Sequence, residues 1–216
     1  ASYPTLSKLF VDNKLDEFKL LIKKQLSALA LINTGVLIIF LTNSENIIEI
    51  IYQRGLFSAE DTNRVSSIFM VVAFGLIPWS LNQIITRAYY VQKNYWFPVW
   101  VGTIITLVTI LILKILSNPS GESYAVIIIS SLWVNTLILS FFLKIKNDRL
   151  IDRNLLLDFI KVFLVGLVGY FLIINFGFYS GSPFFELIFD TFFIFLLILM
   201  SLRVVKMKYI NLKRTR

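Results

Sequence analysis

The chain contains no cysteine and no histidine. A disulfide framework, a thiolate or imidazole metal site, and any Cys- or His-based catalyst are therefore excluded. Charge is scarce as well. Only 16% of the 216 residues are Asp, Glu, Lys or Arg, where soluble domains carry about 25%. Disordered chains pair low hydrophobicity with high charge, and here 57% of the residues are hydrophobic. The sequence also lacks a Gly-rich phosphate loop, a paired-carboxylate hydrolytic site and a nucleophile motif. Neither enzymatic chemistry nor a cofactor is expected. The formal net charge is +8, but the basic residues stand between apolar runs rather than on one solvated face. Nucleic acid is thus not the partner.

What is present is a series of long apolar runs. A membrane-crossing helix needs roughly 20 mostly apolar residues. Six stretches meet this, at about 20–41, 65–86, 97–116, 124–143, 155–174 and 187–205. A β-barrel would show alternating segments of about 10 residues, and these runs do not alternate. The expected fold class is an all-α integral membrane protein with six transmembrane helices. The opening Ala1-Ser2-Tyr3-Pro4 has no initiator Met and no basic tip with an apolar core, so it is not a signal peptide. It suggests a piece of a longer protein.

Charge fixes the expected orientation. Lys and Arg favour the cytoplasmic loops. Of the 21 basic residues, only Arg54, Arg64 and Lys114 fall in the second set of loops. Acidic residues divide the other way, with Glu45, Glu49, Glu60, Asp61, Glu122, Glu186 and Asp190 on the basic-poor side. Both ends are expected in the cytoplasm, as an even number of spans requires. Two aromatic clusters fit the interfaces as anchors. One is Tyr89, Tyr90, Tyr95, Trp96 and Trp100; the other is Phe176, Phe178, Tyr179, Phe184 and Phe185.

The connection after the first span has its own pattern. Ile47, Ile48, Ile50, Ile51 and Tyr52 recur at helical spacing, with Glu45 and Glu49 on the other face. An amphipathic segment over 44–54 is expected to lie in the outer interface. Gly55 permits a turn that other residues resist. Ser58, with Asp61 three positions on, is placed to cap the next helix. Pro78 is expected to kink the second span. The organisation expected is a cytoplasmic lead-in over 1–19, a four-helix part over 20–150, and a final helix pair with a basic tail over 151–216.

Specific strings narrow the class. They are Tyr3-Pro4-Thr5-Leu6-Ser7, then Arg54-Gly55-Leu56-Phe57, then Thr86-Arg87-Ala88-Tyr89-Tyr90 followed by Pro98. In order and spacing these resemble the "P-S-L-S", "R-G-x-F" and "R-A-F-Y-A…T-P" signatures of the MurJ (MviN-type) lipid II flippase family. That family lies within the multidrug, oligosaccharidyl-lipid and polysaccharide exporter superfamily. The motifs are specific over residues 1–100; beyond that, span count and spacing carry the resemblance. Two features depart from the pattern. A Pro usual in the family's ninth helix is absent from Leu31-Ile32-Asn33-Thr34-Gly35, and Phe97 stands where Thr is usual.

The resemblance implies the last six helices of a fourteen-helix, two-lobed transporter. It implies a transporter rather than an enzyme, in the bacterial inner membrane. It also implies a lipid-linked peptidoglycan precursor, lipid II, as substrate, moved by alternating access. Membrane lipids and the N-terminal helices of a parent protein would be the partners. The alternatives are a polysaccharide-repeat or drug exporter of the same superfamily, and a non-transporting or truncated membrane protein.

Several polar residues are candidates for contact with substrate. Asn82, Gln83, Thr86, Arg87 and Tyr90 share one helical face, and the Arg87 guanidinium suits a pyrophosphate. The competing reading is that Arg87 snorkels to headgroups. Arg54 can meet the substrate's sugars or phosphate, or pair with Glu49 or Glu60. Asn135, mid-span, can line a cavity or bond between helices. Asp190, inside the sixth span, is either an ion or proton site or a residue at the outer headgroups. Gly35, Gly75, Gly102, Gly166 and Gly169 are read as packing positions.

Overall fold

A computed structural model describes residues 2–116, 119–145, 148–176 and 181–204, without the side chains of residues 2, 176 and 200–204. A short helix α1 (Ser2–Val11) leads into the long α2 (Leu15–Thr42), the first expected span. Asn13, with φ 57°, turns the chain between them. The amphipathic segment forms α3 (Ser44–Tyr52). Ile48 faces inward there, while Glu45 is exposed. Gly55 sits at φ 64°, the left-handed region that glycine enters without a Cβ clash.

The second span is two helices, α4 (Ala59–Ala73) and α5 (Leu76–Val91). Ser58 starts α4 through a capping box with Asp61. The ladder breaks at Phe74–Gly75, where Phe74 N bonds Val71 O at 3.2 Å and Gly75 N bonds Val72 O at 2.9 Å. These tightened turns place Pro78 in the first turn of α5. There its missing N–H is one of the four a helix start leaves unbonded anyway. The kink expected from Pro78 thus falls just ahead of it.

The remaining elements are α6 (Trp96–Ile115), α7 (Gly121–Phe142), α8 (Arg153–Phe176) and α9 (Pro183–Val204). Between α7 and α8, β1 (Lys144–Ile145) pairs antiparallel with β2 (Asp148–Arg149). The sequence reading did not anticipate this two-rung hairpin. Among the described residues, five spans are long and apolar enough to cross a membrane: α2, α4–α5, α6, α7 and α8. The sixth expected span falls in α9, a helix of 22 residues.

Helix α2 is the axis of the bundle, packed by α8, α5, α9, α4 and α1. The main core gathers at its first half. Phe18, Ile22 and Leu26 of α2 meet Leu6 of α1, Ile85 and Tyr89 of α5, Leu139 of α7, and Ile145, Leu150 and Leu155 around the hairpin. A smaller cluster of Ile38, Ile173 and Ile194 joins α2, α8 and α9 further along. Close approach is set by glycines: a Cβ on Gly166 would stand 2.6 Å from Thr34 Cγ2, and one on Gly75 2.6 Å from Ile129 Cδ1.

Helix α6 is different. It lies against α7, and Pro98 is its only buried residue. Ile104, Leu107, Leu111 and Ile115 stay exposed. An apolar surface on this scale suits hydrocarbon rather than water.

Candidate functional site

The polar residues of α5 form one stripe. Its opposite faces are filled by packing: Pro78, Leu81, Ile84, Ile85, Ala88 and Tyr89 are buried. Trp79, Gln83 and Tyr90 are exposed, and Asn82, Thr86 and Arg87 are half-buried between them. Gln83 and Arg87 are one turn apart, as are Thr86 and Tyr90, which is the i, i+4 spacing of neighbours on a helix surface. Thr86 Oγ1 donates to Asn82 Oδ1 at 3.5 Å. The Tyr90 ring lies 6.5 Å from that of Tyr95. The structure therefore brings together Asn82, Gln83, Arg87 and Tyr90, on the side of α5 turned away from its packed face.

Neighbouring bonds hold that stripe in place. Tyr89, grouped in the sequence with interfacial aromatics, instead turns inward at 3% exposure. Its hydroxyl donates to Leu139 O of α7 at 2.9 Å. Thr136 Oγ1 donates to Pro78 O at 3.0 Å, using the carbonyl side of the kinked segment. Asn33 Nδ2 of α2 donates to Ser80 Oγ. Three polar links thus fix the rotation of α5 against α7 and α2.

The other three candidates lie on other elements. Arg54 sits past the end of α3, where its guanidinium donates to Ile51 O at 2.6 Å and Ile50 O at 3.3 Å. It satisfies terminal carbonyls, as a cation at a helix C-terminus does, instead of pairing with Glu49 or Glu60. Asn135 is half-buried on α7, and its Oδ1 is buried without a hydrogen bond among the described residues. Asp190 is buried on α9. It accepts from Asn43 Nδ2 at 2.9 Å. In the second aromatic cluster, Phe178, Tyr179 and the Phe176 side chain lie outside the described residues.

Two polar groupings escaped the sequence reading. At the α1 end of the bundle, Lys19, Lys23 and Ser27 of α2 face three aspartates beyond β1. Lys19 pairs with Asp148 at 3.2 Å, Lys23 pairs with Asp152, and Ser27 Oγ donates to Asp158 at 3.4 Å. Lys23 is 5% exposed, so this lysine near the start of the first span is enclosed by protein. The i, i+4, i+8 spacing on α2 was visible; the acidic partners, over a hundred residues away, were not. At the opposite end, Asn43 and Asn46 join Asp190 and Glu186.

The comparisons with known proteins bear on the fold and the family. The family description "Lipid II flippase MurJ" matches residues 1–201. A probable lipid II flippase MurJ of Treponema pallidum (strain Nichols) is 29% identical over 105 residues, covering 48% of this chain and 20% of that protein. Another, from Buchnera aphidicola subsp. Baizongia pistaciae (strain Bp), is 24% identical over 166 residues, covering 76% of this chain and 32% of that protein. A solved structure of lipid II flippase MurJ in an inward closed conformation superposes with a TM-score of 0.78 at 24% identity. It covers 95% of this chain and 42% of that chain. The chain thus spans a third or less of the curated relatives it matches. With a family match over nearly its whole length and a bundle of membrane-crossing helices, this chain belongs to the lipid II flippase MurJ family.

Proposed function

We propose that this chain is the C-terminal portion of a lipid II flippase, acting in the bacterial inner membrane by alternating access. The observation that carries the reading is the family match over residues 1–201. A large headgroup bearing a pyrophosphate must pass hydrocarbon, and a transporter eases this by lining the path with cations and hydrogen-bond donors. The stripe of Gln83, Arg87 and Tyr90 on α5 supplies such groups on a helix anchored by α2 and α7. Arg87 offers the paired donors that a phosphate accepts, with Gln83, Asn82 and Tyr90 contacting sugars or water beside it. The exposed apolar faces of α6 meet lipid or the remaining helices of the transporter. Both chain ends are cytoplasmic in this reading, because the basic residues gather in the loops on that side.

The test is Arg87→Ala and Arg87→Lys in the full-length protein, followed by a lipid II translocation assay. We expect Arg87→Ala to insert normally and to lose most transport. Arg87→Lys should retain part of it, keeping the charge without the planar fork. Unchanged transport by Arg87→Ala would leave Arg87 with only an anchoring role at the headgroups.

A further inference from the structure

Asp190 is a carboxyl group with too few hydrogen-bond donors. It is 7% exposed, and Asn43, which contacts it, is 2% exposed. Oδ2 accepts one bond, from Asn43 Nδ2 at 2.9 Å. Oδ1 is buried and has no hydrogen-bond partner among the described residues. An ionised carboxylate removed from water needs a cation or several donors, and its burial without them is costly. No ion pair reaches Asp190 among the described residues.

The charged residues nearest to it on the packed elements are acidic. On α9 itself, Glu186 stands one turn earlier. On α3, the charged residues are Glu45 and Glu49. Helix α2 has no charged residue after Lys24, and those of α8 end at Lys161. Of the basic residues at this end, Arg54 is held by the carbonyls of Ile50 and Ile51. Arg64 follows on α4, a helix that packs on α3.

The neighbouring oxygens argue against a metal ion. A hard cation gathers several oxygen ligands. Here Asn43 Oδ1 already accepts from Asn46 Nδ2 at 3.2 Å, as does Glu186 Oε2 at 3.2 Å. Glu186 Oε1 accepts from Gly181 N at 3.0 Å. The unpaired atom is a single carboxylate oxygen, and a proton there removes the buried charge without the several ligands that a metal ion gathers.

We propose that Asp190 is a proton-binding site. Its neutral acid form seats α9 against the α2–α3 junction, and loss of the proton loosens that contact. The proton adds to Oδ1 from the aqueous phase at this end of the bundle and returns there; no other bond forms or breaks. Oδ2 keeps its bond from Asn43 in the neutral state. The inference deepens the flippase reading by naming an ion linked to movement of α9.

A hydrophobic carbodiimide tests it, because this reagent modifies protonated carboxyl groups reached through lipid. The full-length protein in bilayer discs would be treated with dicyclohexylcarbodiimide across the neutral to alkaline range. Peptide mass spectrometry then reads the adduct at residue 190. We expect labelling at neutral pH that falls about tenfold per pH unit once the acid ionises. Asp190→Asn should lose that adduct, and a label pair on α3 and α9 should stay at its neutral-pH separation at every pH. In the wild type the same pair should separate as pH rises. No adduct at 190 in folded wild-type protein, or labelling independent of pH, would overturn the proposal. So would protection by sodium at constant pH, which would make the site one for a metal cation. None of these readouts requires transport, so a protein that moves no lipid II yet labels at 190 would refute the flippase reading alone.

Discussion

The Tyr89 hydroxyl and the Leu139 carbonyl meet at 2.9 Å, tying α5 to α7 inside the bundle. That carbonyl also accepts the helical bond from Leu143 N at 3.1 Å, so the phenol is its second donor. Tyr89→Phe leaves no unpaired buried group and keeps the ring against Phe97, 5.4 Å away between centroids. It should cost about 0.5–1.5 kcal/mol of stability. Tyr89→Ala also empties a fully packed position and should cost about 3–5 kcal/mol. Thermal unfolding in detergent, comparing both variants with wild type, measures the difference. Equal losses would mean that the ring contributes nothing beyond its hydroxyl.

Two glycines that look alike in sequence should respond in opposite ways. A Cβ on Gly166 would stand 2.6 Å from Thr34 Cγ2, where α8 crosses α2, whereas one on Gly102 meets nothing within 4 Å. Gly166→Ala forces the helices apart and should destabilise by about 1–3 kcal/mol. Gly102→Ala adds helix propensity at an open position and should be neutral or stabilising by up to about 1 kcal/mol. The same unfolding assay reads both. A neutral Gly166→Ala would show that the α2–α8 contact relaxes without cost.

The expected orientation is open to a direct check. The chain has no native cysteine, so Glu45→Cys and Asp148→Cys each supply one thiol in it. A membrane-impermeant maleimide on intact cells should label position 45 from outside and leave position 148 for labelling after permeabilisation. Labelling of both from one side would refute the charge-based topology.

Periodicity and hydropathy made the fold legible because a membrane span is a local signal. The apolar run at 97–116 became α6 at Trp96–Ile115 with almost no change. Ser58 and Asp61 formed the capping box that their spacing announces. Residues decided by tertiary partners were not legible. Tyr89 and Tyr90 are adjacent aromatics, but only Tyr89 finds a carbonyl on α7 and turns inward. Lys23 resembles an interfacial lysine until Asp152 is brought to it by the hairpin between α7 and α8. Of the candidate residues, the α5 stripe was visible as a helical face. The enclosure of Asp190 by Asn43 depended on a contact between segments 147 positions apart.

The ladder of Lys19, Lys23 and Ser27 makes the seam between α2 and the hairpin–α8 segment stiffen as it is pulled open. Its outermost rung is the wetter one, with the side chains of Lys19 and Asp148 17% and 75% exposed, against 6% and 34% for Lys23 and Asp152 in the next. Parting the first rung releases an aspartate that water already solvates, which costs less. Parting the second strips a counter-ion from an ammonium inside the protein, which costs far more. Small tilts of α8 at this end are therefore soft and large ones are resisted, so the seam behaves as a spring with a built-in stop.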